Sequence, residues 1–204
     1  MIIGLDFDNC IISYDDVFAS TAIEMNLIPN DGSIKKSKID VRNYLRKIGK
    51  EDAWTELQGY VYGISIASAP AYPGAIKAIC DFMKNGHDVH IISHKTRTPF
   101  LGPAYDLHGA AMNWIQSNIV EKNDPILELD KIHFNIELID KINCITTVGC
   151  HVFIDDLPEV LSHKGFPNDT KKFLFSPNTS HPNCFLDMIE VSSWCQFAAK
   201  ISHA

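Results

Sequence analysis

Short, uniformly apolar runs separated by stretches of helical period are the feature that most narrows the folds open to this chain. Ile2 to Phe7, Val89 to Ile92, Ile132 to Phe134, His151 to Ile154 and Phe173 to Phe175 are runs of this kind. Most carry no polar alternation, so both faces of each strand are expected to be covered, as in a parallel sheet. Between them the period changes from 2 to 3.6. Ile76, Ile79, Cys80 and Met83 share a helical face, with Pro73 in the first turn and Gly86 as the stop. Leu107, Ala111, Trp114 and Ile115 repeat the spacing, as do Leu138, Ile142 and Ile145 ahead of Gly149. Ser192 can cap a last helix that turns Trp194, Phe197 and Ile201 inward. Alternation of this sort predicts an α/β, Rossmann-like parallel sheet flanked by helices. Its ligands then belong beyond the carboxyl ends of the strands.

One stretch breaks the pattern. About 80 residues separate the first two strands, far more than a crossover helix needs. Val17, Phe18, Ala22 and Met25 fall at helical spacing. Asp40 can cap a second helix (Val41, Tyr44, Leu45, Ile48) that ends at Gly49, and Trp54, Leu57 and Val61 define a third. Asn30 to Ser33 reads as a loop. Residues 14–71 are therefore expected to form a small helical insert, with 1–13 and 72–204 as the core.

The 204 residues, 46% of them hydrophobic, suffice for a full core. A net charge of −7 speaks against a broad nucleic-acid footprint, though not against a local basic pocket for a phosphorylated small molecule. No apolar run reaches the ~18 residues of a membrane span, and Met1 to Gly4 reads as a strand rather than a signal peptide. Cys10, Cys80, Cys144, Cys150, Cys184 and Cys195 show neither CxxC nor zinc-like spacing, which suits core packing in a reducing cytoplasm. The nine histidines include no HxxxH pair on a helix, His90 and His94 falling in an apolar strand run. The sequence carries no statement on oligomeric state.

Three strand ends hold the chemistry. Gly4-Leu5-Asp6-Phe7-Asp8-Asn9-Cys10 presents two carboxylates that alternation would place on one side. Their repulsion asks for a cation or a shared proton, or else they are simply solvated. Ile92-Ser93-His94-Lys95-Thr96-Arg97 ends a strand in a hydroxyl, followed by two cations. Ser93 can bond a phosphoryl oxygen and Lys95, Thr96 and Arg97 the rest of a substrate; the alternatives are a turn serine and a solvated loop face. Ile154-Asp155-Asp156-Leu157-Pro158 ends another strand in adjacent acids facing opposite ways, one toward a metal and one toward a lysine or Asp6. Asp156 can equally be a helix N-cap before Pro158.

Asp-x-Asp, then Ser, then Asp-Asp, each at a strand end and in this order across about 150 residues, resembles motifs I, II and IV of the haloacid dehalogenase (HAD) superfamily. Tyr72-Pro73-Gly74 resembles the return from a helical cap, and the insert stands where a C1-type cap would. The 37 residues from His94 to Asp130 are too few for a larger, later cap. The resemblance implies Mg²⁺ as cofactor, held by Asp6, Asp8 (through its carbonyl), Asp155 and Asp156. It implies Asp6 as the nucleophile that becomes an aspartyl-phosphate and Asp8 as general acid, then base. Asn9, Ser93, His94, Lys95 and Arg97 would bind phosphate and substrate. A motif III lysine is also implied, for which Lys141 is preferred over Lys131. Cys10 stands where the family usually has Thr or Val, and a packing role is expected of it.

Among the superfamily's reactions, dehalogenation needs neither a second acid nor a metal, and phosphonate cleavage replaces the second aspartate. Asp8 and Asp155-Asp156 thus favour phosphomonoester hydrolysis. The expected substrate is a small phosphorylated metabolite, a sugar phosphate first, with Tyr14, Trp54, Tyr60, Tyr62, Tyr105 and His108 as possible lining. The alternatives are a 5′-nucleotidase-like phosphatase, since the insert and the Asp-Asp ending resemble that branch, and a non-catalytic binding or regulatory protein.

Overall fold

Each of the five apolar runs becomes a strand. The computed structural model describes residues 1–177 and 187–202. In chain order the elements are β1 (Ile2–Leu5), α1 (Asp15–Glu24), α2 (Lys38–Lys47), α3 (Glu51–Gly63), α4 (Ala75–Lys84), β2 (Asp88–His94) and α5 (Leu107–Asn118). A minimal antiparallel hairpin follows, β3 (Val120–Glu121) and β4 (Asp124–Pro125). Then come β5 (Ile132–Asn135), α6 (Leu138–Val148), β6 (Val152–Asp155), α7 (Pro158–Leu161), β7 (Lys171–Phe175), β8 (Met188–Val191) and α8 (Trp194–Ser202). Cys184 lies outside the described residues.

The six long-range strands form one sheet in the order β5-β2-β1-β6-β7-β8, and every neighbouring pair is parallel. From β1 the chain builds outward through β2 to β5, then returns to the other side of β1 and continues through β6, β7 and β8. The reversal falls between β1 and β6, the position at which such sheets open a crevice for ligands. Residues of the central strands, including Ile3, Leu5, Ile91, Ile92, Phe153 and Ile154, are buried.

Gly4 shows how closely these layers pack. A Cβ there would lie 2.5 Å from Phe153 Cδ2 and 2.8 Å from Cys150 Sγ. Gly4→Ala is expected to destabilise by about 1–3 kcal/mol through overpacking, read by chemical denaturation.

The contacts divide the chain into two compact units. One comprises Met1–Ile12, Ala71–Lys95 and Gln116–Ala204; the other comprises Ser13–Pro70 and Thr96–Ile115. The sequence division left 96–115 with the sheet, whereas the contacts group it with the helices. Gly59 and Gly63, one turn apart on α3, explain why. A Cβ on Gly59 would meet Pro99 at 2.7 Å, and one on Gly63 would meet Tyr105 at 2.5 Å. Two missing side chains let the 96–115 segment lie directly on α3. Tyr14, Phe18, Trp54 and Tyr62 form the aromatic centre of this unit, with Phe18–Trp54 and Tyr14–Tyr62 centroids 5.1 and 5.0 Å apart. Tyr14 and Trp54 are therefore core residues.

Two helix starts differ from expectation by a few residues. Ser37, not Asp40, caps α2: its Oγ accepts from Asp40 N at 3.0 Å, and Asp40 takes the third helical position. At α8 the cap is Ser193, whose Oγ accepts from Gln196 N, while Ser192 bonds the Gln196 side chain. Pro73 sits just before α4, whose N-cap is Gly74 at φ 85°. The remaining strand, β8, carries Glu190 within a short apolar run and gives no clear sequence signal. No described helix is long and apolar enough to cross a membrane.

Candidate active site

Asp6 directly follows β1 and continues its ladder, its N–H donating to Ile154 O of β6 at 2.9 Å. The chain then turns sharply, and the N–H groups of Ile11 and Ile12 converge on Phe7 O at 3.0 and 3.2 Å. Asn9 makes the turn at φ 56°, a left-handed conformation that asparagine tolerates better than most residues. The turn, rather than strand alternation, thus sets where Asp8 lies. Asn9→Ala is expected to lose about 1 kcal/mol of stability to backbone strain, and Asn9→Gly little or nothing, in thermal unfolding. From the far end of the chain, Trp194 Nε1 donates to Cys10 O at 2.9 Å and fixes the turn from behind.

Lys141, buried on α6, reaches the ends of two strands at once. Its Nζ lies 2.6 Å from Asp6 Oδ1 and 2.6 Å from Asp155 Oδ2. The other oxygen of Asp155 accepts from Leu157 N at 2.9 Å. Asp155 is thus engaged at both oxygens, and the N-cap position of α7 is Leu157 rather than Asp156. Carboxylate oxygens of Asp6, Asp155 and Asp156 lie within 4.8 Å of one another. Lys131, the other motif III candidate, is bound instead to Asp88 at the opposite end of β2, 2.8 Å from its Oδ1.

Burial pushes the Asp6 carboxyl well up from its ordinary value; Lys141 opposes the rise, while Asp155, Asp156 and Asp8 add to it. Burial also acts to lower Lys141, but Asp155 and Asp6 outweigh it and raise the ammonium above its usual range. Lys141 is therefore a permanent cation. Burial, then Asp6, Asp155 and Asp156, pushes the Cys10 thiol up and keeps it protonated.

The second strand end is less uniform than the sequence implies. Ser93 is buried and its Oγ has no hydrogen-bond partner, leaving a hydroxyl free for an acceptor that the fold does not supply. His94 is exposed and its Nε2 bonds Ile136 O at 2.8 Å. Lys95 is not a solvated loop cation. It is buried, and its Nζ lies 3.0 and 2.8 Å from the two oxygens of Asp8. Arg97 is exposed in the other unit, where its carbonyl accepts from Leu107 N. Asp6, Asp8, Lys95, Lys141, Asp155 and Asp156 thus form one linked cluster of charge, with Ser93 on the neighbouring strand end. Lys95 was placed on the substrate side by sequence; a lone lysine just past an apolar strand carries no periodicity that reveals its burial.

No family model and no curated protein sequence matches the chain. Solved structures do. A haloacid dehalogenase-like hydrolase from Streptococcus pneumoniae superposes with a TM-score of 0.59 at 13% identity, over 98% of this chain and 97% of that one. A HAD family hydrolase from Deinococcus radiodurans gives 0.58 at 10% identity, over 99% and 95%. A HAD-superfamily hydrolase from Ehrlichia chaffeensis gives 0.55 at 14% identity, over 99% and 96%. The chain has the HAD fold. At these identities the likeness concerns the backbone. The HAD fold carries the strand order that brings the ends of β2, β1 and β6 side by side, and the acidic cluster of this chain lies there.

The donor set suits a hard divalent cation. It is all oxygen, from the carboxylates of Asp6, Asp155 and Asp156.

Proposed function

We propose that this protein is a Mg²⁺-dependent phosphomonoester hydrolase that works through an aspartyl-phosphate on Asp6. The observation that carries the reading is the Lys141 bridge between Asp6 and Asp155, with Asp156 alongside. A buried carboxylate is oriented by a permanent cation and abuts an oxygen cage, at the switch point of the sheet.

In the first step an Asp6 oxygen attacks phosphorus. The bond to the leaving oxygen breaks, and Asp8 donates its proton to that oxygen. In the second, Asp8 takes a proton from water as the water oxygen attacks phosphorus and releases Asp6. Lys141 holds Asp6 in line, and the free Ser93 hydroxyl donates to a phosphoryl oxygen. Asp6 and Asp156, with the Asp8 carbonyl, would hold Mg²⁺, while Asp155 acts mainly by orienting Lys141. Bound there, the ion supplies positive charge that offsets repulsion between the carboxylate and an anionic phosphate. The Deinococcus radiodurans relative was solved with phosphate and sodium bound. Dehalogenation would leave Asp8 and Asp156 without a task. A compact sugar phosphate is the substrate class proposed.

Purified protein with Mg²⁺ is expected to release phosphate from p-nitrophenyl phosphate and from members of a sugar-phosphate and nucleotide panel, and to stop on chelation. No release from any ester would sink the proposal.

Metal binding gives a second check. Because the folded-state pKa of Asp6 is raised, the folded chain holds more protons than the unfolded one above the ordinary carboxylate range. The stability of the metal-free protein should therefore fall as pH rises through the folded value. Mg²⁺ at a hundred times its Kd should add about 2.7 kcal/mol, and add more at high pH than at low. Melting curves with and without Mg²⁺ across pH read this directly, and a metal effect independent of pH would contradict it.

A further inference from the structure

The site contains two buried lysines, and the phosphatase reading above uses only Lys141. Lys95 follows β2 and extends its ladder, its own N–H donating to Asn135 O at 2.8 Å. The side chain is 4% exposed, against 20% for Asp8. Its ammonium reaches both oxygens of that carboxylate, at 3.0 and 2.8 Å, and sits 6.0 Å from the centre of the Phe7 ring. Each of the two central aspartates therefore has its own cation, Asp6 with Lys141 and Asp8 with Lys95. A desolvated ion pair of this kind gives little net stability over an apolar pair of the same volume.

We propose that Lys95 is a positioning residue for Asp8, holding its carboxyl in one orientation through both proton transfers. The inference rests on the phosphatase reading and names a part of it. When the bond from phosphorus to the leaving oxygen breaks, the electron pair stays on that oxygen and the Asp8 proton moves to it. The carboxylate so formed lies against an ammonium already in place, with no solvent to reorganise. In the second half the same carboxylate takes a proton from the attacking water. Lys95 itself transfers no proton in either step.

A residue acting through a general acid leaves a signature that a packing residue does not. p-Nitrophenolate departs without a proton, whereas an alkoxide needs one. We would measure kcat/KM, which reports the phosphorylation step, for native protein, Lys95→Met and Lys95→Arg across aryl and alkyl phosphates of rising leaving-group basicity. Lys95→Met is expected to lose tenfold or less on p-nitrophenyl phosphate but about 10²–10³-fold on alkyl phosphates, within the range of general acid catalysis. KM and inhibition by inorganic phosphate should hardly move. Lys95→Arg, which keeps a buried cation, should show the same slope in weaker form, and it carries the test alone if Lys95→Met does not fold. In an Asp8→Asn background Lys95→Met should add no further dependence on the leaving group. An equal loss on every ester, or a loss confined to KM and phosphate affinity, would overturn the proposal and make Lys95 a structural or phosphate-binding group. Native protein inactive on all esters would overturn the parent reading and this inference together.

Discussion

Asp6→Asn is expected to reduce phosphate release by at least about 10⁴-fold, as loss of a nucleophile does elsewhere, while the protein stays folded. The amide is nearly isosteric and keeps an oxygen that can accept from Lys141, and Asp155 still holds that ammonium at 2.6 Å. What is lost is a nucleophile able to bond phosphorus. No phosphorylated protein should be trapped in acid-quenched reactions of the variant, whereas the native chain should give one. The substitution also removes an anion that burial and three neighbouring carboxylates disfavour. The variant should therefore melt at or above the native temperature in the absence of Mg²⁺, with a flatter dependence on pH. Activity within tenfold of native would exclude Asp6 as nucleophile.

Lys141→Met should do the larger damage to the fold. It leaves Asp6 and Asp155 buried with their shared cation gone. Breaking a buried pair from one side costs about 3–5 kcal/mol, which for a chain of this size is roughly a 10 °C fall in melting temperature. The deficit should shrink as pH falls, because protonation of Asp6, already pushed up by burial, removes unpaired charge. Lys141 is raised in the folded state, so its contribution is fully present below the ordinary lysine range and is lost only as pH rises through the still higher folded value. Adding Asp6→Asn and Asp155→Asn to Lys141→Met should recover part of the stability but none of the activity. Calorimetry across pH separates these cases, and a deficit that grew toward acid would refute the electrostatic account.

Much of this was legible because the decisive signals are local. Uniformly apolar strands announce a covered parallel sheet, and an acid directly after such a strand can only lie at its carboxyl end. That is why Asp6, Ser93 and Asp155 fall where the pattern put them. Lys141 was preferred over Lys131 for its place on the helix before the Asp-Asp strand, and Lys131 pairs instead with Asp88 at the opposite sheet end. Less was legible where a signal has no direction. The apolar face of α5 reads alike whichever unit it packs in, and only the small residues of α3 at 59 and 63 show where 96–115 lies. Ser37 and Asp40 are both good caps three residues apart, so composition cannot rank them. The burial of Lys95 and the engagement of both Asp155 oxygens are tertiary facts, set by the neighbours of the strand ends.

The central position of β1 has a consequence for biogenesis. Its four residues emerge from the ribosome well before their partners, which begin at 88 on one side and 152 on the other. The three helices between 15 and 63 are contiguous and can pair with one another while translation continues. An apolar strand without neighbours must meanwhile wait for most of the sheet to be made, and closing such long loops is slow. A nascent chain stopped short of residue 152 would expose one open edge of β1 and lack Asp155 and Asp156. The charged cluster at the strand ends would then be completed only late in synthesis.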